Sequence, residues 1–274
     1  MEVRHFAATG RRPFVAGPII LGMPQRTDHV QVHQSIADLV GRPHAHGLVA
    51  AYFDPDRGFA GAMFDGLDPN GLLADNPADR FTVDDIAATS LLDVRFGPTA
   101  VRALLGSQDI AMALKAVPER LPLWKADEPE LQVASRLWFL VREIGGVGRT
   151  RASKLLARKR PQFLPIVDSV IAEALQLHVD TWRPLAQALK GEHLRHAIDD
   201  LRPEQVSQKI STLRLLDVLV WMSCSRSRAA VEVQIELGVS PTRDLPRRSG
   251  TVRPLPSSRV GADSTEDDRA SDKG

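Results

Sequence analysis

A glycine-rich and basic stretch between Arg142 and Arg160 carries the residue types with the clearest chemistry in this sequence. It contains seven Lys or Arg residues against one acidic residue, and three glycines lie between Ile144 and Arg149. Glycine has no Cβ and adopts positive φ readily, so a second backbone can approach it closely. The amides at the start of the helix that follows, together with the helix dipole, favour an anion. The stretch is therefore predicted to bind the phosphate backbone of a nucleic acid.

The predicted phosphate contacts follow from helical spacing. Arg151, Lys154 and Arg158 recur at i, i+3 and i+7, on a face different from the apolar stripe of the same helix. Gly146 and Gly148 are expected to present backbone amides, and Gly148 is expected to need a positive φ. Such contacts position a protein without reading sequence, and the alternative is a merely solvated helix face. The predicted nucleic-acid-binding residues are Gly146, Gly148, Arg149, Thr150, Arg151, Lys154 and Arg158.

The same segment is similar to the helix-hairpin-helix motif of the DNA glycosylase superfamily that includes endonuclease III-like enzymes. In that family a Leu-Pro-Gly-Val-Gly hairpin leads into a helix, a loop and a Val-Asp pair that begins the next helix. This chain has Ile144-Gly-Gly-Val-Gly148 and then Val167-Asp168, so the resemblance covers about 25 residues. It implies that Asp168 is a catalytic aspartate. The chain as a whole also resembles an actinobacterial protein family of unknown function, which implies no activity.

Three departures from the glycosylase pattern limit what the resemblance implies. Thr150 stands where bifunctional members carry a lysine nucleophile, so a Schiff-base lyase activity is not implied. Gly145 replaces the hairpin proline, and the cysteines of iron–sulfur members are absent because Cys224 is the only cysteine. A catalytic Asp168 would stabilise positive charge on a sugar and help to activate water. The alternative is that Asp168 only caps the helix that begins at Ser169.

Three functions are carried forward from these residues. The leading one is a protein that binds double-stranded DNA by gripping the phosphate backbone, in a DNA-repair setting. The alternatives are a monofunctional glycosylase-like enzyme that uses Asp168 and a helical scaffold that binds no nucleic acid. A concave apolar pocket facing Asp168 favours the enzyme, a flat surface there favours the binding protein, and a buried hairpin favours the scaffold.

Two other groups of residues are candidates for a site. His29 and His33 have i, i+4 spacing, which can hold a metal on a helix, but no pattern fixes a third ligand. We therefore predict no metal and no cofactor. Asp217 lies in an apolar helix, where a carboxylate is costly unless it is paired. It is interpreted as a structural partner for a basic group, such as one near the hairpin, and the alternative is a second acidic catalytic residue.

Helical signals dominate the chain from Thr82 onward, and the predicted fold is all-α. Thr82 is expected to cap a helix in a capping box with Asp85. The predicted multi-helix domain spans residues 36–223, with the helix-hairpin-helix at about 131–159, and its last helix starts near Pro203. Residues 1–35 are predicted to form a poorly defined arm, and residues 224–274 a mostly disordered tail. Within that tail, the alternation of apolar residues from 231 to 237 favours a short strand, and the surrounding Ala and Glu residues would also accept a helix.

Composition narrows the class of protein. The net charge of +1 excludes a polycation that binds nucleic acid through its average charge. One cysteine excludes a disulfide framework within the chain and fits a reducing compartment, so a cytoplasmic location is expected. The longest early apolar stretch is interrupted by Gly17 and Pro18 and is too short to span a bilayer, so no membrane partner is expected.

Overall fold

A computed structural model of the chain describes residues 26–66, 76–177 and 181–239. Over these ranges the chain forms twelve α-helices and no β-strand, which confirms the prediction of an all-α, multi-helix protein. The helices are α1 (Arg26–Val40), α2 (Ala45–Phe53), α3 (Val83–Ser90), α4 (Pro98–Gly106), α5 (Gln108–Ala116), α6 (Glu128–Arg142), α7 (Arg149–Lys159), α8 (Ser169–Ala174), α9 (Trp182–Ala188), α10 (Glu192–Asp199), α11 (Thr212–Cys224) and α12 (Arg228–Glu236). Short 3-10 turns occupy Pro55–Arg57, Ala60–Met63 and Leu123–Lys125.

Helix α11 lies at the centre of the fold. Almost all of its side chains are buried, and it packs against α1, α2, α8, α10 and α12. A helix that is apolar on every side must be enclosed by other elements, because no face of it gains from contact with water. These five helices therefore enclose α11, and α7 forms a second buried axis that packs against α3 and α6.

The start of α3 follows its predicted capping pattern. Thr82 Oγ1 accepts from the amide of Asp85, and Asp85 Oδ2 accepts from the amide of Thr82 at 2.8 Å. This pair is the predicted capping box, and it satisfies two amides that would otherwise have no helical partner. Asp85 is fully buried and also forms an ion pair of 2.6 Å with Lys159 at the end of α7. The box thus fixes α3 against α7.

The last helices differ from the prediction. The helix expected from Pro203 begins only at Thr212, because Ser211 caps it by accepting from the amide of Arg214. Such side-chain bonds to the backbone compete with a continuous helix. The strand expected at residues 231–237 is wrong, since α12 occupies this segment. Gln234 Nε2 donates to the carbonyls at the end of α11, so the folded part of the chain extends beyond residue 223.

The predicted arm and tail fall largely outside the described residues. Helix α1 begins at Arg26, so the helical part of the chain starts before residue 36. Residues 1–25 and 240–274 lie outside the described ranges. Within the described ranges, no helix combines the length and the apolar character needed to cross a membrane.

Candidate functional site

A cavity of about 240 Å³ lies beside α11 and contains the aspartate that the sequence singled out. Its aromatic walls are Tyr52, Phe59 and Trp221. Tyr52 stacks on Phe59 with a ring separation of 5.3 Å, and it meets Trp221 edge to face at 6.1 Å. The polar residues of the lining include Lys154, Asp168, Arg214 and Asp217. Flat aromatic walls with a few converging polar groups are typical of a small-ligand site.

The two carboxylate oxygens of Asp168 have separate surroundings. Oδ1 accepts from the amides of Val170 and Ile171 at 3.0 and 3.1 Å, which caps α8. Oδ2 lies 3.7 Å from the Nζ atom of Lys154, with both side chains about 11% exposed. One oxygen therefore caps the helix and the other faces the ammonium group of Lys154, and both residues line the cavity.

Ser153 fixes the segment that carries Asp168. Its hydroxyl donates to the carbonyl of Pro165 at 3.1 Å and accepts from the amide of Val167 at 2.6 Å. Ser153 belongs to α7 and is buried, so it ties the residues before Asp168 to the middle of that helix. The adjacent side chain on α7 is Lys154. The pairing of Lys154 with Asp168 is thus set by the hydrogen bonds of the neighbouring residue.

Lys154 and Arg158 do not lie on an exposed basic face, which corrects the prediction. Lys154 Nζ donates to the carbonyl of Leu92 at 2.8 Å within the cavity wall. Arg158 Nη1 donates to the carbonyl of Asp65 at 2.7 Å, and its guanidinium lies 3.9 Å from Asp85. Helix α7 is covered on most of its circumference, so the i+3 and i+7 positions meet neighbouring segments instead of solvent.

The basic cluster of the sequence therefore separates into two parts. Lys154, Arg158, Lys159 and Arg160 are used inside the fold, and Arg160 Nη2 donates to the carbonyl of Leu114 at 2.6 Å. Arg142, Arg149 and Arg151 remain at the other end of α7, where Arg142 is exposed and the other two are half-buried. Partial burial and the nearby charge of Arg142 lower the pKa of the Arg149 guanidinium. The charges of Arg142 and Arg149 therefore lie close together.

The glycine-rich connection, residues 143–148, joins α6 to α7 at the same end. Gly145, Gly146 and Gly148 are exposed, whereas Val147 is buried. The positive φ occurs at Gly146, with a value of 84°, and Gly148 has an extended φ of −80°. The expectation of a positive φ at Gly148 is therefore wrong. Arg151 Nη1 donates to the carbonyl of Gly146 at 3.0 Å, which closes the turn onto the helix.

Thr150 is half-buried in the first turn of α7. No side chain caps that turn from Gly148, and a Cβ built on any of the three glycines would meet no atom within 4 Å. The space beside the three glycines is therefore open. The predicted binding residues Gly146, Gly148, Arg149, Thr150 and Arg151 thus lie together at this end, apart from the cavity residues.

Arg214 organises the polar side of the cavity. Its guanidinium donates to Asp65 Oδ2, Asp217 Oδ2, the Tyr52 hydroxyl and the carbonyl of Gly61. It also lies over the rings of Tyr52 and Phe64 at 5.3 Å. Gly61 must lack a side chain, because a Cβ there would come within 2.1 Å of the Tyr52 hydroxyl.

Asp217 is paired inside its own helix. Burial raises its pKa to about 7, the positive charge of Arg214 opposes that rise, and the negative charge of Asp168 adds to it. The interpretation of Asp217 as the partner of a basic group holds for Arg214, three residues earlier on α11, instead of a group near the hairpin. The cost of a carboxylate in an apolar helix was the only sequence signal for this position.

Sequence reasoning missed the aromatic walls and Arg214. Tyr52 and Phe59 fall in a stretch that is rich in turn residues, and Trp221 has the pattern of an ordinary core residue, so nothing in the sequence connects them. A larger concavity of about 660 Å³ beside Trp124 contains none of the predicted site residues. In the part of the chain that the structure describes, no group of three or more His, Cys, Asp or Glu side chains is arranged to hold a metal.

Comparison with known proteins identifies a family for this chain but assigns no activity to it. No curated protein and no solved structure matches it. A family model matches residues 45–224, from the start of α2 to the end of α11, and this span includes every residue of the cavity named above. The chain therefore belongs to a family of unknown function (DUF6308).

Proposed function

We propose that this protein hydrolyses N-glycosidic bonds in double-stranded DNA, with the detached base held in the cavity beside Asp168. The observation that carries the proposal is the division of labour within the Asp168 carboxylate. Oδ1 caps α8, while Oδ2 pairs with Lys154, and both residues line the cavity. A pure capping residue has no need of a cavity beside it.

The cavity suits a single planar ring system. Its volume of about 240 Å³ lies just below the range of about 300–1,000 Å³ that is common for drug-sized ligands. Enzymes that act on a base in DNA turn it out of the duplex and stack it between aromatic or apolar side chains. Tyr52, Phe59 and Trp221 supply such surfaces here.

The proposed reaction uses Asp168 as a fixed negative charge. The bond between the sugar C1′ atom and the base nitrogen breaks, and its electron pair leaves with the base. Positive charge develops on the sugar, and a nearby carboxylate stabilises it. Water then adds its hydroxyl group to C1′, and the proton of that water balances the nitrogen of the departing base. Asp168 Oδ2 helps to orient and deprotonate the water.

Lys154 acts in this scheme as an ammonium group. Its Nζ atom donates to the carbonyl of Leu92 and lies 3.7 Å from Asp168 Oδ2, so it is engaged by two acceptors. A protonated amine cannot attack an aldehyde. Since Thr150 also offers no amine, the expected product is an intact abasic site.

The DNA backbone would be held at the other end of α7. The exposed glycines, the first amides of α7 and the cluster of Arg142, Arg149 and Arg151 form a compact positive region. Lys154 follows Arg149 by five residues, which is about 8 Å along a helix axis. A phosphate at the glycine-rich connection would therefore lie within one or two nucleotides of the cavity.

Binding of DNA without catalysis is the second candidate function. It is favoured by the complete cap that Asp168 makes for α8, which is reason enough for an aspartate at this position. The exposure of Gly145, Gly146 and Gly148 argues against the helical scaffold, because a connection that only packed helices would be covered.

The test is base excision from a panel of duplexes that carry deaminated, alkylated or oxidised bases. Asp168→Asn keeps an oxygen for the cap and removes the charge, so it should fold, bind DNA and lose excision. Asp54→Asn is the matched control, since Asp54 also caps a helical turn but does not line the cavity. Strand breakage should appear only after alkali treatment.

Each outcome of that assay decides between the candidates. Excision that survives Asp168→Asn removes Asp168 from the reaction. DNA binding with no excision on any substrate supports the second candidate. Absence of binding at low salt rejects both.

A further inference from the structure

The Asp217 carboxyl group has one oxygen committed and one facing the cavity. Oδ2 accepts from Arg214, and among the described residues no hydrogen bond reaches Oδ1. Asp217 is 7% exposed and lines the cavity together with Asp168 and the aromatic walls. A hydrogen bond in a low-dielectric cavity is stronger than one in water, so a ligand in the cavity that bonds to Oδ1 gains from the contact.

Charges around the cavity leave one carboxylate without a matching cation. Asp65, Asp168 and Asp217 share two cations, because Arg214 bonds both Asp65 and Asp217 while Lys154 pairs with Asp168. The nearby Arg158 and Lys159 form their ion pairs with Asp85 instead. Asp93 at the rim is exposed, so water screens its charge. A proton on one buried carboxylate brings the cluster to neutrality.

Of these carboxylates, Asp217 has the surroundings that favour the protonated form. The groups that face it are Arg214 on its own helix, Asp168 before α8, Lys154 on α7 and the Tyr52 hydroxyl on α2. Burial holds its pKa at about 7 in spite of Arg214. Because Oδ2 already accepts an N–H from Arg214, the proton belongs on Oδ1.

We infer that Asp217 is a ligand-binding residue of the cavity, and that it donates a hydrogen bond from Oδ1 to a carbonyl oxygen or ring nitrogen of a bound heterocycle. The inference rests on the proposed function for the identity of that heterocycle as a nucleobase. Since the charged carboxylate is an acceptor only, the contact is lost when the proton leaves. Ligands that offer only donors at this edge are excluded.

The expected pH dependence is specific to this residue. If only the acid form binds, the affinity falls about tenfold between about pH 6 and about pH 8, because the competent fraction falls by that factor. Asp217→Asn keeps a carbonyl for Arg214 and turns an N–H donor toward the cavity. Its affinity should equal that of the wild type at low pH and stay constant with pH.

The experiment is calorimetric titration of the full chain with free uracil and free adenine, whose charges do not change over this pH range. Asp54→Asn is the matched control, since Asp54 neither bonds Arg214 nor lines the cavity, and its substitution leaves the charges of the cluster unchanged. It should keep the tenfold loss. Equal wild-type affinity at both pH values, wild-type pH dependence in Asp217→Asn, or no binding of either base would overturn the inference.

A second measurement, on the wild-type protein, tests the inference even if the Asp217→Asn variant fails to fold. Carbon-detected NMR of the wild-type Asp217 carboxyl should show a titration midpoint that rises when uracil or adenine is added, and an unchanged midpoint contradicts the assignment. Excision assays separate this inference from the proposed reaction. Base binding that depends on Asp217 without excision refutes the reaction alone, whereas excision with pH-independent base binding refutes the Asp217 contact alone.

Discussion

Lys154 Nζ and Asp168 Oδ2 lie 3.7 Å apart in the wall of the cavity, and the carbonyl of Leu92 holds the same ammonium group at 2.8 Å. The pair joins the middle of α7 to the start of α8, and Ser153 fixes the backbone on either side of the contact. A lysine that the sequence places on a DNA-binding face is thus part of the site that would do chemistry. Lys154 and Arg151, which lie on the same helix, are therefore expected to respond differently to substitution.

The salt dependence of DNA binding should separate Arg151 from Lys154. If Arg149 and Arg151 neutralise two phosphates, log K should fall against log salt with a slope of roughly −2. Arg151→Ala should reduce that slope by about 1, whereas Lys154→Met should leave it unchanged because Lys154 contacts no phosphate. Duplex titrations at several salt concentrations measure both, with circular dichroism as the control for folding. Equal loss of slope in the two variants contradicts this assignment.

Lys154→Met should act on stability instead. It leaves Asp168 Oδ2 without its partner in a site that is about 11% exposed, and breaking a buried ion pair costs about 3 kcal/mol. The free energy of unfolding from urea titration should fall by an amount of this order. A variant as stable as the wild type would show that the pair contributes little to the fold.

The two glycines should respond differently to alanine. Gly146 has a φ of 84°, so Gly146→Ala should cost about 1 kcal/mol of stability. Gly148 has an extended φ and open space around it, so Gly148→Ala should fold normally and weaken DNA binding by blocking the approach of a phosphate. Thermal unfolding and duplex binding, measured on both variants, test this. Unchanged binding by Gly148→Ala would show that DNA does not approach there.

The raised pKa of Asp217 predicts the direction in which stability changes with pH. Between its ordinary value of 3.8 and about 7, the folded protein keeps a proton that the unfolded chain has released. The contribution of Asp217 is therefore fully present below about pH 4 and is lost as the pH rises to about 7. The loss is about 1 kcal/mol per pH unit at most.

Asp217→Asn isolates this contribution. The difference in the free energy of unfolding between the wild type and Asp217→Asn should change steadily from about pH 4 to about pH 7 and then level off. Urea titrations at several pH values supply the measurement, and Asp54→Asn is the comparison because Asp54 does not bond Arg214. A difference that does not change with pH would show that Asp217 is ionised throughout.

Local signals in the sequence predicted the features that depend on a few adjacent residues. The capping box of Thr82 and Asp85 and the cap at Asp168 involve residues at most three apart, so their chemistry is complete within the segment. The all-α fold follows from repeated signals of this kind along the chain. The glycines also marked the connection correctly, although residue type alone could not show that Gly146 takes the positive φ and Gly148 does not.

The cavity could not be predicted because its parts are distant in sequence. Tyr52 and Arg214 are 162 residues apart and meet only when α2 packs against α11. The spacing of Lys154 showed that it leaves the apolar stripe of α7, but the coverage of the other faces depends on α3 and the segment before Asp168. Whether a helix is buried on several sides depends on how other elements pack against it, and the sequence of that helix does not show this.

The most direct test of the central claim, that Asp168 stabilises positive charge on a sugar at the cavity, is the affinity for a charged abasic analogue. A duplex with a cationic pyrrolidine in place of one deoxyribose is compared with the same duplex carrying a neutral tetrahydrofuran. The wild type should bind the cationic duplex at least about 100-fold more tightly, as enzymes bind mimics of their transition states. Asp168→Asn should lose that preference and keep its affinity for the neutral duplex. Equal wild-type affinity for both duplexes, or a preference that survives Asp168→Asn, would contradict the account.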